Sequence, residues 1–150
     1  MYIERKVDLS VYYFIKDLFS IYPFVTIKDG FPDEDLVIPT VSIDLQVIDP
    51  VPAELGNRHG KKTFMFFIDI FAISKAQRDE FAYKIMYELE NSVPVYDYDE
   101  GFPPTVSPTK LGSLVPTDLR MEIIRIIPEI VVDKLYYRSM ITFVAEYNKL

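Results

Sequence analysis

A chain of 150 residues is long enough to bury a sizeable core and is expected to form one domain spanning 1–150. Apolar residues at 49% and charged residues at 26% are ordinary proportions for a folded protein and exclude wholesale disorder. The net charge of −7 argues against a surface that grips nucleic acid by neutralising phosphates. With no cysteine there is no disulfide framework, thiolate metal site or thiol nucleophile, which suits a reducing cytosol. No apolar run approaches the roughly 20 residues of a membrane span. Met1 to Lys6 lacks the apolar centre of a signal peptide, so neither membrane insertion nor export is expected.

The first element is a helix over Asp8–Tyr22. Val11, Phe14, Ile15, Leu18 and Tyr22 recur at helical spacing, Asp8 or Ser10 can serve as N-cap, and Pro23 follows the end. Residues 28–35 hold a glycine, a proline and four acids, and read as a solvated turn. From Val37 to Ile48 the period changes to two: Val41, Ile43, Leu45 and Val47 alternate with Thr40, Ser42, Asp44 and Gln46, a half-buried strand. Pro50 and Pro52 end it.

Glu54 to Lys62 then forms a polar, hairpin-like excursion, with Arg58, His59, Lys61 and Lys62 as the one concentrated basic patch of an acidic chain. Thr63–Ile73 is the most apolar stretch. Phe64, Phe66, Ile68 and Ile70 lie on one face, with Met65, Phe67, Phe71 and Ile73 on the other. A strand apolar on both faces is covered on both, by its own helices or by a neighbouring subunit.

Ser74 and Gln77 make a capping box that opens a second helix running to about Glu90. Phe81, Ala82, Ile85, Met86 and Leu89 form its buried stripe, while Tyr83 and Tyr87 lie off it as candidate subunit contacts. Val95–Tyr98 reads as a short strand. Residues 101–118, with four prolines and two glycines, read as a long loop, on which Phe102, Leu111 and Leu114 would serve as apolar anchors for an adjacent protomer. Two longer strands, near Leu119–Val132 and Leu135–Tyr147, finish the chain. The fold expected is α+β: a mainly antiparallel sheet of four to five strands with two helices packed on it and an extended loop.

Catalytic machinery is not expected. The sole histidine, His59, sits in a Gly-flanked turn beside Arg58 and Lys61, with no carboxylate to orient it as a base. No G-x-S-x-G elbow or phosphate-cradling glycine loop is present. Asp97, Asp99, Glu100 and Gly101 resemble part of a calcium loop, but the remaining ligands are out of register, and the cluster reads as a solvated turn. Asp44 and Asp69 lie within strands, where such residues sit at an edge or pair with an arginine such as Arg125. No metal or cofactor is expected.

What the chain offers is material for assembly. Ile38-Pro39-Thr40-Val41-Ser42-Ile43, Glu54-Leu55-Gly56 and Phe67-Ile68-Asp69-Ile70-Phe71-Ala72 occur in order, followed by Gln77-Arg78-Asp79 and Val95 to Pro103. In order and spacing this run resembles the minor tail proteins that terminate phage tail tubes, and Leu111-Gly112-Ser113-Leu114 looks like the same family's loop motif. The resemblance covers about half the chain. It implies an α+β subunit, assembled in the host cytoplasm into the virion tail or neck. There it closes a ring, a hexamer in that family, which caps the tube and meets the head. Its partners would be further copies of itself, the tail tube protein and a head-completion or neck protein, with DNA passing through the lumen unbound and no membrane involved. The alternatives are another neck component, such as a head-completion or connector protein, and a cellular ligand- or peptide-binding domain.

Overall fold

A computed structural model describes residues 1–31, 36–50, 62–124 and 137–150. Helix α1 spans Ile3–Leu18, strand β1 Thr26–Asp29, β2 Thr40–Pro50 and β3 Lys62–Ala72. Helix α2 (Lys75–Glu88), β4 (Val93–Asp97), β5 (Thr109–Ile124) and β6 (Tyr137–Lys149) complete it. The strands form one sheet in the order β1-β2-β3-β6-β5-β4. β1 joins β2 in parallel, and every other pairing is antiparallel. The α+β class is as expected, with six strands and a mixed sheet in place of four or five.

Alternation builds the core. Phe64, Phe66, Ile68 and Ile70 of β3, Val41 and Ile43 of β2, and Ile141 and Phe143 of β6 all point to one face. Phe81, Ile85 and Leu89 of α2 and Val7, Val11 and Ile15 of α1 close over them in a single cluster. The helices also meet each other, Phe19 packing edge-on against Phe81 at 5.0 Å between ring centroids. The seam between β3 and β6 is marked by Phe66 stacked on Phe143, 5.1 Å apart at 12°.

Both helices therefore lie on the same face. Helix α1 touches β1 and β2 at one margin of the sheet and β4 at the other, so the sheet curls around it. Consecutive residues hold the two margins: Arg5 binds Asp29 of β1 at 2.7 Å, and Lys6 binds Asp97 of β4 at 3.0 Å.

Three differences from the sequence reading have local causes. Helix α1 starts at Ile3 rather than Asp8, because the buried stripe extends back through Val7 and tertiary packing substitutes for a side-chain cap, which Tyr2 does not provide. The turn read from Lys28 onward begins with a strand, since Thr26–Asp29 finds a ladder on Thr40–Ile43. The loop read over 101–118 is strand from Thr109 onward: Gly112 lies against the Asn148 backbone, where a Cβ would come within 2.3 Å of the carbonyl oxygen. That glycine marks a close approach between strands, not a turn. Finally, the basic excursion at Arg58, His59 and Lys61, the turn at 32–35 and the junction of the last two strands at 125–136 lie outside the described residues. Among the described residues no helix is long and apolar enough to cross a membrane.

Candidate assembly surface

The residues expected to make contacts do not share one fate. Lys62 opens β3 and its ammonium is bound by Glu4 of α1, whose carboxyl is held below the usual range by that hydrogen bond. It acts as a tie between helix and sheet. Tyr83 and Tyr87 stand one turn apart on the outer side of α2, 60% and 71% exposed. They lie off the buried stripe of the helix, as their spacing predicts.

Phe102 is 45% exposed and stacks on Tyr98 at 6.0 Å, which in turn meets Tyr13 of α1 at 5.4 Å. Leu111 is half-buried, its carbonyl accepting from the Leu150 N–H. Leu114 is a correction: it is fully buried in the core cluster. As a β5 residue opposite Val93 and Tyr147 it faces its own helices and has nothing left to offer a neighbour.

The acidic turn is likewise more than solvated. Asp97 and Asp99 both bind the Lys6 ammonium, at 3.0 and 2.9 Å, and the amino group of Met1 reaches Asp99 at 3.0 Å. The Lys6 hydrogen bond, with that of the amino terminus, brings the Asp99 carboxyl down to about 2. Ser10 ties the same region, accepting from the Tyr96 N–H at 3.0 Å and donating to the Lys6 carbonyl at 2.7 Å.

The face of the sheet opposite the helices carries a second set of residues. Met65 and Phe67 of β3 and Met140 and Val144 of β6 are half-buried there, flanked by exposed Val115 of β5. At one end of this face Asp69, nearly buried, accepts from Arg138 of β6 through Nε and Nη2, at 3.1 and 2.7 Å. The arginine expected in that role, Arg125, lies outside the described residues. Periodicity in β3 shows that Asp69 needs a partner, but the partner follows only from the β3–β6 register.

The Arg138 guanidinium lies 5.4 Å from the Phe31 ring centre and 5.3 Å from that of Phe71. Burial raises the Asp69 carboxyl above its ordinary value, and the arginine opposes that shift. Ser42, opposite Asp69 in β2, buries its Oγ without a hydrogen-bond partner among the described residues.

A third cluster sits where α1 meets β1. Arg5 binds both Asp8 and Asp29, each at 2.7 Å. Asp8 Oδ1 is buried with no hydrogen-bond partner among the described residues, and burial, aided by the Asp29 charge, pushes its carboxyl up to about 6. Between the C-terminal half of α1 and β1 a groove of about 340 Å³ is lined by Tyr12, Lys16, Phe19, Tyr22, Val25 and Ile27. Among the described residues no group of three or more His, Cys, Asp or Glu is placed to hold a metal ion.

These arrangements define an α+β domain with pinned sheet margins and half-buried apolar side chains on its second face. No protein-family model matches the chain, and no curated protein matches it.

Proposed function

We propose that this chain is the ring-forming subunit that terminates a phage tail tube, closing a hexamer at the joint between tail and head. One observation carries the reading. Both described helices pack on one face of the sheet, while Met65, Phe67, Met140 and Val144 leave the other face apolar and half-exposed. A strand apolar on both faces with helices on only one is completed by a neighbouring subunit.

Three further features support it: the order and spacing of the run Ile38 to Phe102, the outward Tyr83 and Tyr87, and the net charge of −7. An acidic lumen repels the DNA that must pass through it. The partners under this reading are further copies of the chain, the tail tube protein and a head-completion protein. Light scattering and particle images of the purified protein test it. The expected result is a ring of six copies that binds the end of a tail tube. A protein that stays monomeric at every concentration and in the presence of tubes would overturn the proposal.

A further inference from the structure

β5 is only partly covered on its outer side. β4 pairs with it from Thr109 to Leu114, while β5 runs on to Ile124. The inner side of this continuation is held by β6, Arg120–Ile124 lying opposite Thr142–Arg138. On its outer side no strand pairs with it among the described residues. The backbone N–H and C=O groups that point outward there are left to water or to another strand.

A bulge separates the covered part of this edge from the free part. The register against β6 shifts between Thr117 and Arg120, and Asp118 there has a φ of 48°. Beyond it the side chains alternate between the two faces of the sheet. Arg120 and Glu122 stand opposite Thr142 and Met140, on the face away from the helices, and both are exposed. Met121 and Ile123 stand on the helix face with Leu119. Leu119 and Met121 pack against the core, whereas Ile123 is 50% exposed. The free edge therefore carries a base and an acid two residues apart on one face. On the other face it carries an apolar row that ends in an uncovered isoleucine.

We propose that two copies of this chain pair edge to edge through Leu119–Ile123, antiparallel, about a two-fold axis at Met121. Arg120 of each copy then lies opposite the partner's Glu122, and Ile123 comes over the partner's Leu119. Charge and occupancy select this register. A slide of two residues sets either Arg120 against Arg120 or Glu122 against Glu122, and like charges directly opposite are unfavourable. A slide of one residue sets the helix face of one copy beside the open face of the other. A slide of four toward β4 matches Arg120 with Asp118, but it puts the partner's Ile124 on the outer side of Leu114, where Val93 already pairs. In the chosen register the paired stretch stops short of every residue that β4 holds. The side chains are also free to make the contact. Arg120 is held only by its near neighbour Asp118, at 3.0 Å, and Glu122 has no partner among the described residues.

Because the same stretch serves both copies, the contact uses the edge once in each and stops at a pair. It goes beyond the ring proposed above. A ring built from such pairs needs a second, different contact, and either contact can exist without the other.

The absence of native cysteine makes the test direct. Met121→Cys introduces a single thiol, which meets its own counterpart on the two-fold axis. Residues directly opposite in an antiparallel pair lie roughly 4.5–5.5 Å apart at Cα, within disulfide reach. Under a mild oxidant this variant should be linked into dimers and nothing larger. Ile123→Cys, more exposed but set opposite Leu119, should link far less. Equal linking of the two variants, or none from Met121→Cys, overturns the pairing. Rings seen without linked dimers leave the ring standing alone, and linked dimers without rings leave the pairing alone. In a second arm without cysteines, sedimentation reads the dimer directly. Arg120→Glu and Glu122→Arg should each weaken it about tenfold or more, since each sets like charges opposite one another. An equimolar mixture of these two variants should pair again, because every charge then meets its opposite. A mixture no stronger than its components would also overturn the pairing.

Discussion

Arg138 directs two of its nitrogens at a single oxygen of Asp69, across the seam between β3 and β6, with the carboxylate side chain 5% and the arginine 23% exposed. The pair sits on the face the helices leave uncovered, and its cost of burial is offset only while both members remain. Replacing Arg138 with Met strands a buried carboxylate and should destabilise the protein by about 3 kcal/mol. Asp69 already has a raised pKa, and without the arginine it rises further. A raised carboxyl pKa means that stability is lost as pH climbs through it, so the Arg138→Met deficit should be larger at neutral than at acid pH. Urea titrations at both conditions check this. A deficit independent of pH would place the loss in packing against Phe31 and Phe71.

Phe66 is fully buried and stacked on Phe143, with α1 and α2 closing over the same core cluster. Phe66→Ala should cost about 3–5 kcal/mol, the range for a buried phenylalanine. Equilibrium denaturation that shows less than about 1 kcal/mol would refute its place in the core.

Asp8 is an acid whose charge its buried setting disfavours. Its carboxyl is raised from 3.8 to about 6, so the folded state holds the proton more tightly than the unfolded chain. The contribution is present below pH 4, is lost as pH rises toward 6 and leaves a penalty above that. Asp8→Asn, which copies the protonated shape, should match the wild type near pH 4. It should exceed the wild type by about 1–2 kcal/mol at pH 7, a figure reduced for solvent screening of a partly exposed group. Thermal melts across that range decide the matter, and equal curves at both ends would show that Asp8 is not strained.

Tyr83 and Tyr87 project from α2 away from the core. Changing both to Ala should leave subunit stability within about 0.5 kcal/mol, as for exposed positions elsewhere. Assembly measured by light scattering should weaken, because exposed tyrosines carry interface energy. Unaltered assembly would remove them from the contact.

The parts of this fold legible in the sequence are those written in a single period. The alternation at Val41–Leu45 and Phe64–Ile70 gives two strands and their core face, although a bulge after Leu45 sets Val47 opposite Met65 and out of that row. Ser74 with Gln77 gives the start of α2, where Ser74 Oγ accepts from the Gln77 N–H at 3.1 Å. β5 was hidden because Gly112 and Pro116 carry loop-like signals, although one allows a close strand approach and the other sits at an outer edge. β1 was hidden for another reason. Thr26–Asp29 is mostly exposed and too short to show a period, and its only warrant is the neighbouring strand. Of the candidate contacts, exposure on a helix could be read from spacing. The Arg138 site could not, since it exists only through register between strands distant in sequence.

The hold of Arg5 and Lys6 on opposite margins of the sheet also bears on how the chain reaches its fold. Lys6 and Asp99 are separated by 93 positions, and Arg5 and Asp29 by 24. During synthesis α1 emerges before β4, with Val7, Val11 and Ile15 exposed, and the strands between must follow before β4 arrives to cover it. Loop closure over that distance, rather than formation of the helix, then sets the pace. Until it is complete the nascent chain shows this apolar stripe to the ribosome surface and to chaperones.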